Sequence, residues 1–224
     1  MKNHLIIVAG GVGSRMGTQT PKQFLELQGK PILAHTLERF YSTLPDLQIK
    51  VVMHNDYLDY WQELIRLIAL DVPHSIVGGG SERFYSVLAG LNSISSNSGV
   101  VGIHDAVRPL ISRQVIETCY DSARINGTAV PVLSVQDSLR LVENGKSETV
   151  DRSRFRLVQT PQCFEISLLK KAYSQGYHPR FTDDASVVES LGVELNLVEG
   201  NRENFKITTP EDLRMANMIL AFDK

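Results

Sequence analysis

The sequence has few of the features that mark secreted, zinc-binding or membrane-spanning proteins. It contains two cysteines, Cys119 and Cys163, among 224 residues, too few for a disulfide framework and without the paired spacing of a zinc site. No apolar run approaches the ~20 residues that a transmembrane helix requires, and the first residues lack the apolar stretch of a signal peptide. We therefore expect a cytoplasmic protein with two reduced thiols.

The charge balance also excludes some classes of partner. The formal net charge is −2, so the chain has no broad excess of basic residues to bind nucleic acid or an anionic membrane. A hydrophobic content of 42% and a charged content of 21% are typical of a globular domain. We predict a single domain over residues 1–224, in which any polyphosphate site is local.

The segment 5–23 places an apolar strand directly before a glycine-rich loop. The strand is predicted over residues 5–8. The three glycines and two cations that follow are Gly10, Gly11, Gly13, Arg15 and Lys22. Because glycine permits close backbone approach, successive N–H groups can face an anion. The spacing is neither a P-loop nor a dinucleotide fingerprint, and a tight structural turn is the alternative to a nucleotide-binding loop.

A second glycine-rich loop follows a later strand. Residues 74–77 predict a short strand, residues 78–80 are three glycines, and residues 85–94 predict a helix. Arg83 and Ser86 lie at this junction, where backbone donors at a helix N-terminus favour an anion.

A buried-strand pattern over residues 99–103 ends in an acidic residue, Asp105. Side chains at the carboxyl ends of parallel strands line the ligand crevice of an open sheet, and a carboxylate is a suitable ligand for Mg²⁺. The alternatives are that Asp105 caps the next turn or forms a structural ion pair with Arg108. We expect the neighbouring His104 to be packed and hydrogen-bonded.

The rest of the chain alternates between strand and helix patterns. We predict an α/β fold with a Rossmann-like, mostly parallel sheet and helices on both faces. The Asn144-Gly145 pair predicts a hairpin turn in a protruding β-arm over about 136–156, which is typical of a dimerisation element. Residues 157–164 predict one strand. Helix starts are predicted at 112, at 182 with Thr182 as cap, and at 210 with Thr209 as cap.

Seven separated motifs occur in one order along nearly the whole chain. They are AGGVGSRM, PKQ, GGGSERFYSVLAGL, HDAVRP, VDR, QTPQCF and TDDAS. Together they resemble the nucleotidyltransferases that join CTP to a polyol phosphate. The resemblance implies a homodimeric enzyme that uses CTP, a polyol phosphate and Mg²⁺.

The resemblance also implies roles for individual residues. Arg15, Lys22 and Lys206 are the implied catalytic cations. The implied nucleotide site consists of Ala9, Gly10, Gly11, Gly13, Gly80, Ser81, Arg83 and Ser86, with Ser86 and the backbone of Gly80 and Ser81 at the base and Arg83 holding the loop. The implied acceptor site consists of Asp105, Arg108, Ser138, Arg152, Thr160, Thr182 and Lys206, with Asp105 also a metal ligand and the arm serving the partner subunit. Ser138 stands where the family usually has threonine, which keeps the hydroxyl.

The family contains enzymes for two acceptors, 2-C-methylerythritol 4-phosphate and ribitol 5-phosphate. Val107 and the Gly11-Val12 pair lean towards ribitol phosphate, whereas the SVLAGL and TDDAS segments resemble the methylerythritol enzymes, and we favour the latter acceptor. A transferase for another nucleotide should lack the VDR arm and the second loop. A non-catalytic regulator should have lost Lys22, Asp105 or Lys206.

Overall fold

The computed structural model describes residues 2–11 and 20–222. The strands are β1 (His4–Val8), β2 (Glu26–Leu27), β3 (Lys30–Pro31), β4 (Gln48–Met53), β5 (His74–Gly78), β6 (Val100–Asp105), β7 (Thr128–Ser134), β8 (Leu139–Glu143), β9 (Lys146–Val150), β10 (Arg156–Val158), β11 (Gln162–Glu165) and β12 (Leu197–Glu199). The α-helices are α1 (Ile32–Thr43), α2 (Leu58–Leu67), α3 (Arg83–Asn92), α4 (Arg113–Asn126), α5 (Ile166–Tyr173), α6 (Asp184–Glu189) and α7 (Pro210–Phe222). Over this described part of the chain, every helix is too short or too polar to cross a bilayer.

Eight of the strands form one mixed, mostly parallel sheet. Strands β6, β1, β4 and β5 are neighbours in that order, and every pair among them is parallel. Strand β11 is antiparallel to both β6 and β7, while β7 also pairs with β12 in parallel and with β10 in antiparallel orientation. The predicted α/β sheet is confirmed, and it brings the carboxyl ends of β1 and β6 together.

Helices cover both faces of the sheet because its central strands are apolar on both sides. Leu5 and Ile7 of β1 belong to a core cluster with residues of α1, α2 and α4. The alternate residue Ile6 belongs to a second cluster with residues of α3, α5 and α6. This alternation follows from the two-residue period of a strand. Trp61 of α2 is fully buried, as expected for a core residue.

The predicted hairpin is present as a separate two-stranded sheet formed by β8 and β9. Asn144 and Gly145 both have positive φ, 51° and 75°, as a type I′ turn requires. The chain leaves the main sheet after β7 and returns to it at β10. Most residues of the hairpin are exposed.

Two local predictions are wrong. The single strand predicted over 157–164 is divided into β10 and β11, with a cis peptide bond between Thr160 and Pro161 in the gap. The break lies where the chain stops pairing with β7 alone and inserts between β6 and β7. The cap of α6 is Asp183 and not Thr182, because the Asp183 carboxylate accepts the backbone N–H of Ser186 at 2.9 Å in a capping box.

Candidate active site

A cavity of about 200 Å³ lies at the carboxyl edge of the parallel strands. It is bounded by the loop after β1, the loop before α3 and the turn after β6. Ten of the predicted site residues line it: Ala9, Gly10, Gly11, Lys22, Gly80, Ser81, Arg83, Ser86, Asp105 and Lys206. Gly13 and Arg15, also predicted to bind nucleotide, lie outside the described residues.

A larger cavity of about 940 Å³ lies at the opposite edge of the sheet, near the amino ends of β4 and β5. Its lining includes Lys50 and His74 but none of the predicted site residues. Ligands of open α/β sheets bind outside the carboxyl ends of the strands. The smaller cavity is therefore the candidate active site.

The first loop is held against the sheet by the PKQ segment. The Ala9 N–H donates to the Val52 carbonyl at 2.7 Å, and the Gln23 side-chain amide donates to the Ala9 carbonyl at 2.7 Å. Residues 22–24 form one turn of 3₁₀ helix that is buried along its length. This turn brings Lys22 into the cavity wall beside Gly11, where the lysine can meet a phosphate.

The second loop is closed by a serine hydroxyl. The Ser86 Oγ accepts the Gly80 N–H at 3.2 Å and lies 3.2 Å from the Glu82 carbonyl. A Cβ on Gly79 would lie 2.9 Å from that same Oγ and 3.2 Å from the Met53 carbonyl, so the loop packs too closely for a side chain there. Ser86 thus shapes the loop in this structure, and its predicted contact with the base stays a prediction.

Arg83 connects the second loop to the segment that precedes α6. Its guanidinium donates to both carboxylate oxygens of Asp184, at 3.0 and 2.6 Å. The Tyr173 hydroxyl donates to the same carboxylate at 2.6 Å. Burial alone would lower the pKa of Arg83, but the charge of Asp184 raises it above its ordinary value. Arg83 therefore stays cationic and holds the loop. Its partner Asp184 was not predicted from the sequence.

One carboxylate oxygen of Asp105 forms ion pairs with two cationic side chains. Its Oδ2 lies 3.1 Å from the Arg108 Nε and 3.1 Å from the Lys206 Nζ. Burial alone would raise the pKa of Asp105, but Lys206, Arg83 and Arg108 hold it well below its usual range. The carboxylate is thus ionised. The ion pair with Arg108, one of the alternatives that the sequence offered for Asp105, is present.

Behind this carboxylate lies a buried set of hydrogen bonds. The Thr160 hydroxyl accepts the Asp105 N–H at 3.1 Å and lies 3.0 Å from the His104 Nδ1. The His104 Nε2 lies 3.2 Å from the Arg108 carbonyl. Burial lowers the pKa of His104 to about 3, so its ring is neutral. His104 is packed and hydrogen-bonded, as expected.

Asn204 ties this region to the segment that carries Lys206. Its side-chain amide donates to the Thr160 carbonyl at 2.9 Å, and its own carbonyl accepts an N–H of Arg108 at 2.7 Å. Asn204 is fully buried. Asn204 was not predicted from the sequence, although its position two residues before Lys206 could have indicated it.

Three predicted acceptor residues lie elsewhere. Ser138 and Arg152 belong to the exposed arm, where Arg152 donates to the Gln136 carbonyl. Thr182 is exposed just before α6. None of the three lines the cavity that the described residues form. Their predicted contacts need either a second subunit or a bound acceptor.

Side chains in the described part of the chain offer little to a metal ion. Among residues 2–11 and 20–222, no group of three or more His, Cys, Asp or Glu side chains could hold one. Asp105 lines the cavity, but its Oδ2 is already paired with Arg108 and Lys206. Mg²⁺ commonly binds through one or two carboxylates together with substrate phosphates. The residues present fit a cation that a nucleotide brings with it.

Comparison with known proteins agrees with the fold and the motifs. The family model described as 2-C-methyl-D-erythritol 4-phosphate cytidylyltransferase matches residues 3–222. A protein of that name from Bacteroides thetaiotaomicron is 49% identical over 220 residues, which cover 98% of this chain and 100% of the relative. Another from Porphyromonas gingivalis is 44% identical over 98% of both chains.

Solved structures show the same likeness. The 4-diphosphocytidyl-2C-methyl-D-erythritol synthase from Anaerococcus prevotii superposes with a TM-score of 0.84 at 26% identity, over 98% of each chain. The 2-C-methyl-D-erythritol 4-phosphate cytidylyltransferase from Thermus thermophilus superposes with a TM-score of 0.77 at 32% identity, over 99% of this chain and 100% of that one. The resemblance found in the sequence is thereby confirmed: the chain belongs to the 2-C-methyl-D-erythritol 4-phosphate cytidylyltransferase family.

Proposed function

We propose that this chain transfers CMP from CTP to 2-C-methyl-D-erythritol 4-phosphate, releasing pyrophosphate and forming 4-diphosphocytidyl-2-C-methyl-D-erythritol, an isoprenoid precursor. One observation carries the proposal. Two glycine-rich loops and the cations Lys22 and Lys206 line one cavity around an ionised Asp105, in a chain of this family.

Both reactants are anions, so the cavity has to supply positive charge. The acceptor phosphate attacks the α-phosphorus of CTP, a P–O bond forms, and the bond to pyrophosphate breaks. A phosphate monoester is already ionised near neutral pH, so the attack requires no general base. Positioning and electrostatic stabilisation then account for most of the catalysis.

We assign the triphosphate to the first loop. Ala9, Gly10 and Gly11, which follow β1, line the cavity together with Lys22, which is mostly buried. A buried ammonium acts more strongly on a developing negative charge than an exposed one does. Arg15 is proposed to act on the same triphosphate on the strength of the family motif.

We assign the acceptor phosphate to the Lys206 side of the cavity. About 40% of the Lys206 side chain is exposed, and its ammonium forms an ion pair with Asp105. An incoming phosphate can therefore reach it without unfolding the surrounding loops.

The proposed divalent cation is Mg²⁺. Asp105 would hold this cation through the carboxylate oxygen that is not paired with Arg108 and Lys206, and the bound cation would supply positive charge to the phosphates of CTP. We therefore expect the free protein to bind Mg²⁺ weakly and the protein with CTP to bind it well.

The arm is proposed to build a homodimer. Five apolar side chains in the arm or just beyond it are 43–67% exposed: Leu141, Val142, Phe155, Leu157 and Val158. Exposed apolar groups that lie close together along the arm and the strand that follows it indicate an interface. In such a dimer Ser138 and Arg152 would reach the partner's cavity.

Subunit mixing tests this shared site. Arg152→Ala and Lys206→Ala chains would each be inactive alone, but a mixed dimer would contain one intact site. Random mixing should therefore restore about a quarter of wild-type activity. Absence of recovery, with dimers present by light scattering, would show that Arg152 serves its own subunit or no site.

The reaction itself is tested by pyrophosphate release from CTP and Mg²⁺. 2-C-Methyl-D-erythritol 4-phosphate and ribitol 5-phosphate are supplied in separate assays. We expect turnover with the first acceptor. Preference for ribitol 5-phosphate would keep the chemistry and refute the proposed acceptor, and absence of turnover with both would refute the proposal.

A further inference from the structure

We propose that Thr160 and His104 are positioning residues for Lys206. They fix the turn formed by residues 105–108, and the carboxylate that this turn carries holds the lysine ammonium. The inference rests on the proposed role of Lys206 towards the acceptor phosphate. It differs from the resemblance-based expectation, in which Thr160 contacts the acceptor.

The donors and acceptors around Thr160 allow one consistent arrangement. The Asp105 N–H can only donate, so the Thr160 oxygen accepts it. The Arg108 carbonyl can only accept, so the neutral His104 ring carries its proton on Nε2 and donates there. The His104 Nδ1 is then an acceptor and receives the Thr160 hydroxyl proton. The Thr160 hydroxyl therefore accepts a hydrogen bond from the Asp105 N–H and donates one to the His104 ring.

These bonds hold both ends of the turn that carries the charged groups. Thr160 contacts the backbone of Asp105 at its start, and His104 contacts the backbone of Arg108 at its end. The turn is also closed by the Arg108 N–H, which donates to the Asp105 carbonyl at 3.2 Å. The orientation of Asp105 in turn decides where its Oδ2 lies.

Lys206 depends on that oxygen because its own side chain is long and partly exposed. Its Nζ lies 3.1 Å from the Asp105 Oδ2, and a lysine side chain that lacks a fixed partner samples many rotamers. A shift of the turn would therefore move or release the ammonium. Thr160 has 5% of its surface exposed. It can affect the reaction by holding the turn, and through Asp105 the ammonium of Lys206, in place.

A double-mutant cycle on Thr160 and Lys206 distinguishes an effect of Thr160 through Lys206 from a direct contact between Thr160 and the acceptor. The variants are Thr160→Val, Lys206→Ala and the double variant, each assayed for kcat and KM for both substrates. Loss of the hydroxyl leaves two buried polar groups without a partner, so Thr160→Val alone should lower kcat/KM for the acceptor by about tenfold or more. In the Lys206→Ala background the same change should have an effect of less than about threefold.

Two controls separate positioning from loss of stability. Thr160→Ser keeps the hydroxyl and should restore most of the lost activity. Thr128→Val removes another buried threonine hydroxyl, one that accepts the Asn196 N–H at 2.9 Å on β7. It should lower the unfolding temperature but leave kcat and both KM values near wild type.

Each failure has a distinct signature. If Lys206→Ala retains wild-type activity, the proposed role of Lys206 is wrong, and this inference is overturned with it. If Lys206→Ala is impaired and the two effects multiply in the double variant, the positioning inference alone is overturned. A Thr160→Ser enzyme as impaired as Thr160→Val would also contradict it.

Discussion

The ion pair between Arg83 and Asp184 predicts an unequal loss of stability when either partner is removed. Asp184 has no exposed side-chain surface, whereas Arg83 has about 30% of its side chain exposed. Loss of one partner from a buried pair costs about 3 to 5 kcal/mol, because the remaining charge is left uncompensated.

The remaining charge differs between the two variants. In Asp184→Asn the guanidinium can still reach water, so we expect a loss of about 3 kcal/mol in the free energy of unfolding. In Arg83→Met the carboxylate stays fully buried with the Tyr173 hydroxyl as a partner, and we expect a loss of about 5 kcal/mol. Removing both charges in Arg83→Met/Asp184→Leu should recover part of that loss.

Urea unfolding followed by circular dichroism measures these differences at constant pH and salt. Asp121→Asn provides the control, because its ion pair with Arg124 spans 2.5 Å but leaves both side chains more than half exposed. That control should cost less than about 1 kcal/mol. Equal losses in Asp184→Asn and Arg83→Met, or a double variant less stable than both, would refute the argument from burial.

Three further predictions concern chemistry, metal and pH. Lys22→Ala should lower kcat far more than it raises KM for CTP, because the lysine is proposed to stabilise the transition state; an effect confined to KM in steady-state assays would contradict this. Titration calorimetry should show tight Mg²⁺ binding only when CTP is present, and equally tight binding to the free protein would point to a metal site built by side chains alone. Burial lowers the pKa of His74 below 6.5, and its Nε2 accepts the Trp61 N–H at 3.1 Å. The unfolded state therefore binds the proton more readily, so the free energy of unfolding should fall as the pH drops below about 6.5. The urea midpoint should fall less steeply with pH in His74→Gln than in the wild type, which would assign part of this loss to His74.

The sequence alone indicated most of the strands and helices and the edge of the sheet at which the candidate site lies. Apolar runs indicated β1 and β6, which are buried along nearly their whole length, because burial on both faces leaves no polar alternation to detect. Glycine spacing indicated the two loops, and Ser112 caps α4 as predicted, with its hydroxyl 3.2 Å from the Val115 N–H. These signals act over a few residues, so they can be read without the fold.

The tertiary structure decided which partner each polar side chain has. Arg83 and Asp184 are 101 residues apart, and Thr160 meets Asp105 across 55 residues. Asp184 belongs to the helix start that the sequence predicts at 182, and that local pattern could not show the guanidinium facing its carboxylate. The Thr160 hydroxyl lies 3.1 Å from the Asp105 nitrogen and 3.0 Å from the His104 Nδ1, and its predicted contact with the acceptor stays a prediction. Such pairings depend on which strands and helices lie side by side, and residue type and spacing do not specify that.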